Sequence, residues 1–381
     1  MRIRPIAIFL AIGVAACERT PRRPPMSPAR DPIATTEAVS PAATPVAASS
    51  PTSPTGAVAP PSQLVFQPLP LPGANGPASL DFIFYERAPS RVWVPAGSTG
   101  SVDVLDVASG AFTRIQGFTT VEREGHGKKR TVGPSAGSVG DGFAYIGNRA
   151  TDEVCAVDVK KLKPGKCIKT SSGTDAVTYV ALTKEVWVTL PKEQTLAVLD
   201  ASRPSTLQPK ATIKVDGSPE CYAVDEDHGI FFTNLEDKGG TVAIDIKTRK
   251  ITATWNAGCG PDGPRGVAFD ATHDFVLVAC TDHVQVLDAA HDGAPLGKLD
   301  TGAGVDNIDY VDRTQLLYVA AGKAARLTVA HVTDKGQFVV VATGETSEGA
   351  RNAVADANGT AYVADSQQAR LLVFKSVATA P

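Results

Sequence analysis

The sequence predicts an all-β fold, a seven-bladed β-propeller built from four-stranded antiparallel blades. An apolar–aromatic–apolar string recurs about every 45 residues, which is the repeat length of propeller blades. A second string, two apolar residues followed by an aspartate, comes after most copies of the first. Turn residues separate the strings, so each repeat holds several short strands. Because one such sheet leaves both faces bare, stacking the repeats in a closed ring buries them and leaves no open sheet end.

The first string occurs seven times, and this gives the blade count. Its central residues are Trp93, Tyr145, Trp187, Phe231, Leu277, Tyr318 and Tyr362. The second string ends in an aspartate in the first five repeats, at Asp106, Asp158, Asp200, Asp245 and Asp288. An aspartate placed there accepts backbone N–H groups of the following turn, so we interpret these five residues as structural.

The two ends of the repeat region are predicted to close the ring. Only six residues follow Lys375, so the seventh repeat has no outermost strand of its own. The segment 64–69 precedes the first repeat and has no other predicted partner. We expect this N-terminal strand to complete the last blade, with Pro68 on an outer edge where a missing N–H group interrupts no ladder.

Residues 1–17 are predicted to be a bacterial lipoprotein signal peptide. Arg2 and Arg4 precede the apolar stretch 6–14, which is too short to span a bilayer but has the length of a signal-peptide core. The segment ends in Val-Ala-Ala-Cys, which resembles a lipobox, so Cys17 is the expected lipidation site. We therefore expect an exported protein anchored to a membrane by its N-terminal acyl chains, on the periplasmic face or at the outer membrane and cell surface.

Residues 18–62 are predicted to form a disordered tether. The segment contains 11 of the 28 prolines, is otherwise rich in Ala, Ser and Thr, and holds no aromatic residue. Such a composition cannot bury enough apolar surface to offset the entropy of ordering the chain. The propeller is accordingly expected over residues 63–381.

The overall charge disfavours a polyanionic partner. Lys and Arg number 37 and Asp and Glu number 40, which gives a formal net charge of −3. Basic residues are concentrated in 123–130, a Gly-rich insertion between the first two repeats, which we interpret as a solvated loop. Nucleic acid is therefore not an expected partner, and the propeller is expected to be a monomer.

The repeats resemble a known family of propellers. Tyr-Val-Ala, Trp-Val-Thr and the string Phe232-Thr233-Asn234 recur at blade spacing and are similar to the repeats of the YVTN, or YncE-like, propellers. The resemblance extends over about 310 residues and implies the same fold. It implies no single function, because that family includes binding proteins, relatives of cofactor domains and many members without a known role.

Candidate ligand-binding residues lie at one mouth of the central channel. Loops that lead into the innermost strands share this mouth with loops between second and third strands, and function concentrates on such loops. By register the loops that lead inward present Ser135, Asp175, Glu220, Arg265, Asp306, Asn307, Arg351 and Asn352. The arginines could hold a carboxylate or phosphate, whereas Glu220, Asp306 and the asparagines could coordinate Ca²⁺ or a similar hard cation. Alternatively, these side chains pair with one another and with channel water.

An enzyme is the alternative function class. Gluconolactonase-type lactonases and streptogramin-type lyases use propeller mouths, with a metal site or a His–Glu pair. None of the six histidines here has the spacing of a metal site, and His283, near the mouth, is the one candidate for a general base. The sequence has no nucleophile elbow, Walker A loop, dinucleotide fingerprint or haem-attachment motif, so it assigns no catalytic residue and no evident cofactor.

Five cysteines lie outside the signal peptide, and export would permit disulfides between them. Cys155 and Cys167 lie on successive strands of the second repeat and could bridge that hairpin. Cys221, Cys259 and Cys280 all map near the mouth, where we expect a Cys221–Cys259 bridge, with Cys259–Cys280 as the rival pairing. Since five is odd, at least one thiol stays free unless it pairs between chains.

Together these features predict a lipid-anchored extracytoplasmic propeller that binds a protein or small ligand at the channel mouth. The alternative is a metal-dependent enzyme, similar to a lactonase or lyase, that uses the carboxylates and asparagines of the mouth. The absence of catalytic motifs favours the binding protein.

Overall fold

A computed structural model describes residues 60–125 and 128–375. The predicted signal peptide with Cys17 and residues 18–59 of the predicted tether lie outside the described residues. Seven four-stranded antiparallel sheets form a ring, which confirms the predicted seven-bladed propeller. Among the described residues, no helix has the length and apolarity needed to cross a membrane.

Each blade begins beside the channel with its first strand and proceeds outward. Blade one consists of β3 (Phe84–Glu86), β4 (Arg91–Ala96), β5 (Ser101–Asp106) and β6 (Ala111–Gln116). Blade two consists of β9 (Pro134–Gly140), β10 (Phe143–Asn148), β11 (Glu153–Asp158) and β12 (Lys163–Lys169). Blade three consists of β13 (Val177–Val180), β14 (Glu185–Leu190), β15 (Thr195–Asp200) and β16 (Gln208–Lys214). Blade four consists of β17 (Pro219–Asp225), β18 (Ile230–Leu235), β19 (Gly240–Asp245) and β20 (Lys250–Asn256).

The remaining blades follow the same plan. Blade five consists of β21 (Pro264–Asp270), β22 (Phe275–Cys280), β23 (His283–Asp288) and β24 (Ala294–Asp300). Blade six contains β25 (Val305–Val311), β26 (Leu316–Ala321), β27 (Arg326–Val332) and β28 (Phe338–Glu345). Blade seven contains β29 (Ala353–Ala355), β30 (Ala361–Asp365) and β31 (Arg370–Phe374). Three short 3₁₀ turns lie at Pro191–Glu193, Gly260–Asp262 and Ala289–His291.

The apolar core is divided among the contacts between blades. Seven clusters of buried residues occur, one between each pair of neighbouring blades. Second strands supply the central residues of the predicted aromatic string, and Trp93, Trp187 and Phe231 are buried completely or nearly so. Each sheet therefore buries both of its faces against its neighbours, which is the reason the sequence needs a closed ring.

The N-terminal segment closes the ring, as predicted. Strand β2 (Phe66–Pro70) pairs antiparallel with β31 and supplies the outermost strand of blade seven. The Phe66 ring meets the Phe374 ring edge-on, with 5.7 Å between the ring centroids. Pro68 lies within this outer edge strand, where its lack of an N–H group is tolerated.

A second closing contact was not predicted. Strand β1 (Ser62–Leu64) pairs in parallel with β28 and adds a fifth strand to blade six. Between β1 and β2 the chain crosses from blade six to blade seven at Val65, whose side chain is 86% exposed. The first described residues therefore join two blades.

The repeated aspartates have the predicted structural role. The Asp106 carboxylate accepts a hydrogen bond from the Ser109 N–H at 2.8 Å, and Asp158 accepts from Lys160 and Lys161. The same pattern recurs at Asp200, Asp245 and Asp288. Each carboxylate thus holds the turn that leads into the outermost strand.

The insertion between blades one and two is a hairpin. It consists of β7 (Val121–Gly125) and β8 (Lys128–Val132), which pair antiparallel. Arg123 lies 3.4 Å from the Asp152 carboxylate of blade two, and both side chains are more than one-third exposed. Part of the predicted solvated loop is thus ordered β structure, while residues 126–127 at its tip lie outside the described residues.

The described residues contain two disulfides, one within blade two and one that ties the loop before blade five to β22. Cys155 pairs with Cys167 across the hairpin in blade two, as expected from the sequence. Cys259 pairs with Cys280, so the expected Cys221–Cys259 bridge is wrong and the rival pairing forms instead. Cys221 is a buried free thiol on β17, and its Sγ lies 3.2 Å from Asn307 Oδ1 of blade six. Its side chain therefore faces the channel side of another blade, away from the loop that carries Cys259.

Candidate functional site

Charged side chains from blades two to seven and from the segment before blade one meet at the predicted channel mouth. We call them the mouth cluster, and its members are Asp81, Arg149, Asp175, Glu220, Glu236, Arg265, Asp306 and Arg351. Each comes from a loop that leads into a first strand, from the start of that strand, or from a loop that follows a second strand. The cluster contains five carboxylates and three guanidinium groups, so acidic groups exceed basic ones.

Arg149 is the most enclosed cation of the mouth cluster. Its guanidinium forms ion pairs with Asp81 and Asp175, which come from different blades. Its Nε also donates a hydrogen bond to the Thr174 carbonyl oxygen at 2.9 Å. Arg149 therefore has a full set of partners and fixes the positions of both carboxylates.

The other two arginines are less enclosed. Arg351 Nε lies 3.2 Å from Asp306 Oδ2, and its Nη2 lies 3.5 Å from Asp81 Oδ1, yet its side chain is 51% exposed. Arg265 pairs with Glu236. Arg351 can therefore leave one of its partners for a ligand at a modest cost.

A run of carboxyl groups connects blades three and four. Glu220 lies beside Asp175 on one side and Glu236 on the other, close enough for their charges to act on one another. Burial, followed by the negative charge of Asp175, raises the pKa of Glu220 to about 11. Burial likewise raises the pKa of Asp175, against the opposing effect of Arg149. At neutral pH Glu220 is therefore protonated, and it can donate to a neighbouring carboxylate.

Asp306 also binds protons more readily than an ordinary aspartate. Burial raises its pKa to about 6, although Arg351 favours the ionised form. Strongly perturbed carboxyl groups in a cleft are typical of functional sites, because an uncompensated buried charge is costly unless a ligand requires it.

The segment before blade one crosses the mouth. The Asp81 carbonyl oxygen accepts a hydrogen bond from Asn352 Nδ2 at 2.8 Å, and the Phe82 N–H donates to the Ser135 carbonyl oxygen at 3.0 Å. The Phe82 ring packs against the core between blades two and three and also against the core between blades four and five. Phe82 thus spans the channel directly beneath the mouth cluster.

Two cavities lie along the channel. The larger, about 940 Å³, opens beside the mouth cluster between blades five and seven, and Arg265, Asp306, Lys323 and Arg351 line it. The smaller, about 370 Å³, lies in the channel and is lined in part by Phe82, the Cys221 thiol, Asn307 and Asp309. A ligand approaching the mouth would meet the larger cavity and its charged side chains first.

The structure places the predicted mouth residues in two groups. Asp175, Glu220, Arg265, Asp306 and Arg351 come together in the mouth cluster. Asn307, Asn352 and Ser135 serve the scaffold instead. Asn307 Oδ1 accepts from the Ile308 N–H at 3.0 Å and faces Cys221, Asn352 is 2% exposed, and Ser135 is buried. The expected set of Glu220, Asp306 and two asparagines therefore does not converge on one point.

Sequence reasoning missed three members of the mouth cluster: Asp81, Arg149 and Glu236. Arg149 and Glu236 each directly follow a second strand, β10 and β18. Loops after second strands were expected at the mouth, so their register could have identified these two residues. Asp81 lies in an irregular segment outside the repeats, and no repeat pattern could have placed it.

His283, the candidate general base, lies at the start of β23 and is largely buried. Its Nδ1 lies 2.5 Å from Asp282 Oδ1, and this contact lowers the pKa of Asp282. Asp282 lines the larger cavity, whereas the imidazole packs behind it. The histidine therefore positions a carboxylate of the cavity wall.

Two groups of side chains in the described part of the chain are compact enough to share a metal ion, and neither lies at the mouth. One consists of Glu153 with Cys155 and Cys167, whose sulfurs are joined in a disulfide and cannot act as thiolate ligands. The other consists of Asp225, His228 and Asp274 on the opposite rim.

Comparison with known proteins supports the fold. No family model and no curated protein matches the chain. Similar solved structures include Kuenenia stuttgartiensis hydrazine synthase, with a TM-score of 0.65, 15% identity, and coverage of 82% of this chain and 97% of that one. Streptogramin B lyase has a TM-score of 0.64 and 11% identity, covering 82% and 97%. A chain of the mitotic checkpoint complex has a TM-score of 0.64 and 12% identity, covering 89% and 99%. At these identities the likeness shows a propeller fold alone.

Proposed function

We propose that this protein is a lipid-anchored, extracytoplasmic propeller of the YVTN type that binds a ligand with a cationic group at its mouth cluster. One observation carries the proposal: five carboxylates share the mouth with three guanidinium groups, and the pKa of Glu220 is raised to about 11. The proton on the Glu220 carboxyl group therefore occupies a position that the cationic group of a ligand could take.

The physical argument is one of charge compensation. A buried carboxylate without a cationic partner keeps its proton, because ionisation in a poorly solvated site is costly. A ligand ammonium or guanidinium group would supply the missing partner for Glu220. Binding would then displace the Glu220 proton and replace it with a charge-assisted hydrogen bond.

The larger cavity adds a second element of recognition. Its volume of about 940 Å³ suits a small molecule or a few residues of a peptide. Lys323 and the half-exposed Arg351 line it and could receive an anionic group of the same ligand. A peptide with basic side chains and a free carboxylate combines both kinds of charge.

The metal-dependent enzyme is the alternative, and the geometry favours it less. That function needs Glu220, Asp306 and an asparagine oxygen to face one ion. The Asn307 amide oxygen instead accepts from the Ile308 N–H, and among the described residues no three carboxyl groups of the mouth lie close enough together to share an ion. Export and membrane anchoring rest on residues 1–17, with their positive, apolar and lipobox-like segments in order.

Calorimetric titration of the full-length protein with tri-arginine and tri-glutamate tests this function. We expect tri-arginine to bind and to release protons, measured as a dependence of the heat on buffer ionisation enthalpy. The Glu220→Gln variant should weaken binding about tenfold or more, because glutamine cannot become an anion. Asp334→Asn, a carboxylate-to-amide change in the exposed turn between β27 and β28 on the rim opposite the mouth, is the matched control. Equal affinity for the two peptides, or unchanged affinity in Glu220→Gln, would contradict the proposal.

A further inference from the structure

A second group of ionisable side chains lies on the rim opposite the mouth. The turn between β17 and β18 of blade four carries Asp225 and His228, and the corresponding turn of blade five carries Asp274. Turns between first and second strands lie away from the mouth. This group therefore shares no residue with the mouth cluster, and its role is independent of the function proposed above.

The blade-four turn holds its carboxylate and imidazole together. Asp225 Oδ1 accepts hydrogen bonds from the N–H groups of Asp227 and His228, at 3.1 and 3.0 Å. Its other oxygen, Oδ2, lies 2.8 Å from His228 Nδ1. Asp225 is only 5% exposed, so the turn fixes one ligand oxygen and aims it at the imidazole.

Asp274 approaches the same nitrogen from the next blade. Its Oδ1 lies 3.8 Å from His228 Nδ1, and the carboxylate is 40% exposed. The three ligand atoms lie within 4.8 Å of one another. Two carboxylates and the imidazole therefore meet at one point, and Asp225, Asp274 and Asp227 together raise the pKa of His228.

An equivalent turn in blade five shows what is particular to this site. Asp270 and His273 have the same sequence spacing, and His273 Nδ1 lies 2.8 Å from Asp270 Oδ2. There the imidazole stacks on Phe275, with 5.3 Å between the ring centroids, and is largely covered. Among the described residues, that pair has no third carboxylate within metal-sharing distance. The Asp–His pair is therefore shared by both turns. The site at His228 differs because it also has the carboxylate of Asp274.

The distances suit a divalent cation. Zinc binds histidine nitrogen and carboxylate oxygen at about 2.1 Å, so two ligands of one ion lie at most about 4.2 Å apart. The 2.8 and 3.8 Å separations satisfy this limit. The remaining pair, the two carboxylate oxygens, lies within 4.8 Å, so it needs to close by at most about 0.6 Å, which rotation of the partly exposed Asp274 side chain can provide. Imidazole with carboxylates favours zinc or a similar borderline metal over magnesium or calcium.

We propose that Asp225, His228 and Asp274 form a zinc-class divalent cation site that joins blades four and five on the rim opposite the mouth. The ion would bind neutral imidazole through Nδ1 and one oxygen from each carboxylate, and water would complete its coordination. Because the ligands come from two blades, a bound ion stabilises the folded ring relative to the unfolded chain.

Zinc binding to the full-length protein, measured by competition with a chromophoric chelator, tests the site. We expect one zinc ion per chain and a higher melting temperature with zinc. Asp274→Asn and His228→Gln should each weaken zinc binding about tenfold or more, since each removes one of three ligands. Asp274 is partly exposed, so its variant is expected to fold normally. Cobalt substitution gives a second readout, a visible absorption band that the two variants should lose.

The matched control is His273→Gln in the equivalent turn of blade five. It removes an Asp-paired histidine from a site without a third carboxylate and should leave zinc affinity unchanged. The proposal is overturned if the wild-type protein does not compete with the chelator for zinc. It is also overturned if Asp274→Asn and His228→Gln bind zinc as tightly as the wild type.

Discussion

Two glutamates in this propeller, one buried and one partly buried, have opposite surroundings. Glu185, in the wall between blades, is fully buried, and its carboxylate contacts Trp187 Nε1 at 2.9 Å, Thr183 Oγ1 at 3.0 Å and Lys210 Nζ at 2.8 Å, with Arg249 beside it. Burial alone would raise the pKa of Glu185, but these donors outweigh it and the pKa is lowered. Glu220, at the mouth, has other carboxyl groups as neighbours, and its pKa is raised to about 11.

The different surroundings of Glu185 and Glu220 distinguish a carboxylate that has a structural role from a carboxyl group that is available to a ligand. Glu86 repeats the wall pattern, because its carboxylate accepts from Trp93 Nε1 at 2.8 Å and pairs with Arg91. A carboxylate with a complete set of donors fixes its blade and has no capacity left for a ligand. A carboxyl group that lacks donors keeps its proton and can exchange it for a ligand cation. The wall and the mouth should therefore respond differently to mutation and to pH.

We expect the largest loss of stability when the N-terminal strands that close the ring are removed. Deleting residues 62–70 removes both β1 and β2, exposes the outer edge of blade seven and opens its core. We expect stability to fall by about 5 kcal/mol or more, or cooperative folding to be lost, because a ring depends on every interface. Deleting residues 18–57 should change stability little. Chemical denaturation followed by circular dichroism measures both, and similar losses in the two variants would show that the closing strands do not hold the wall.

The next effect concerns the wall carboxylate. Glu185→Gln should destabilise the protein by about 3 kcal/mol, because it leaves Lys210 and Arg249 beside a neutral amide. Glu220→Gln should change stability by less than about 0.5 kcal/mol near pH 4, where the Glu220 carboxyl group is protonated in both the folded and the unfolded chain and glutamine resembles it. Urea denaturation of the two variants compares wall and mouth directly. A loss in Glu220→Gln as large as that in Glu185→Gln would remove the distinction between them.

The smallest effect, counted per unit of pH, is a difference in pH dependence of about 1.4 kcal/mol for each pH unit. A carboxyl group whose pKa is raised on folding stabilises the native state at low pH, and this contribution is lost as pH rises from its ordinary value of 4.5 through about 11. Between pH 5 and 9, roughly, the wild type should therefore lose stability relative to Glu220→Gln. Glu185, with a lowered pKa, acts in the opposite sense and loses its contribution only as the solution becomes strongly acidic. Parallel pH profiles for the wild type and Glu220→Gln would argue that Glu220 is ionised in the folded protein.

The repeats made the fold predictable from the sequence. The number of aromatic strings gave the number of blades. Because the seventh repeat lacked an outermost strand, the N-terminal segment was predicted to supply it. Strand β1 was not predicted, because a three-residue parallel strand leaves no pattern of its own. The pairing of Cys259 with Cys280 depended on which way the Cys221 side chain points, and only a structure gives that direction.

The candidate site was predictable only in part. Register identified the positions that face the mouth, such as Asp175 and Asp306, because strand order fixes which loops share a rim. Register could not show that the asparagine side chains at 307 and 352 would bond to the scaffold, since those bonds depend on neighbouring blades. Asp81 was not predicted for a different reason. It belongs to the segment before blade one, which enters the mouth without being part of the repeat.

The closing strands also have a consequence for the order of folding. Gln63 hydrogen-bonds Thr343 across 280 residues of sequence, and β2 pairs with the last strand of the ring. The earliest part of the propeller to leave the ribosome thus cannot reach its native partner until almost the whole chain has been synthesised. Contacts this distant in sequence form late and slowly, so blades one to five have time to assemble first. During that interval β31 is an unpaired edge, and the delay before β1 and β2 dock is the period in which the protein is most exposed to aggregation.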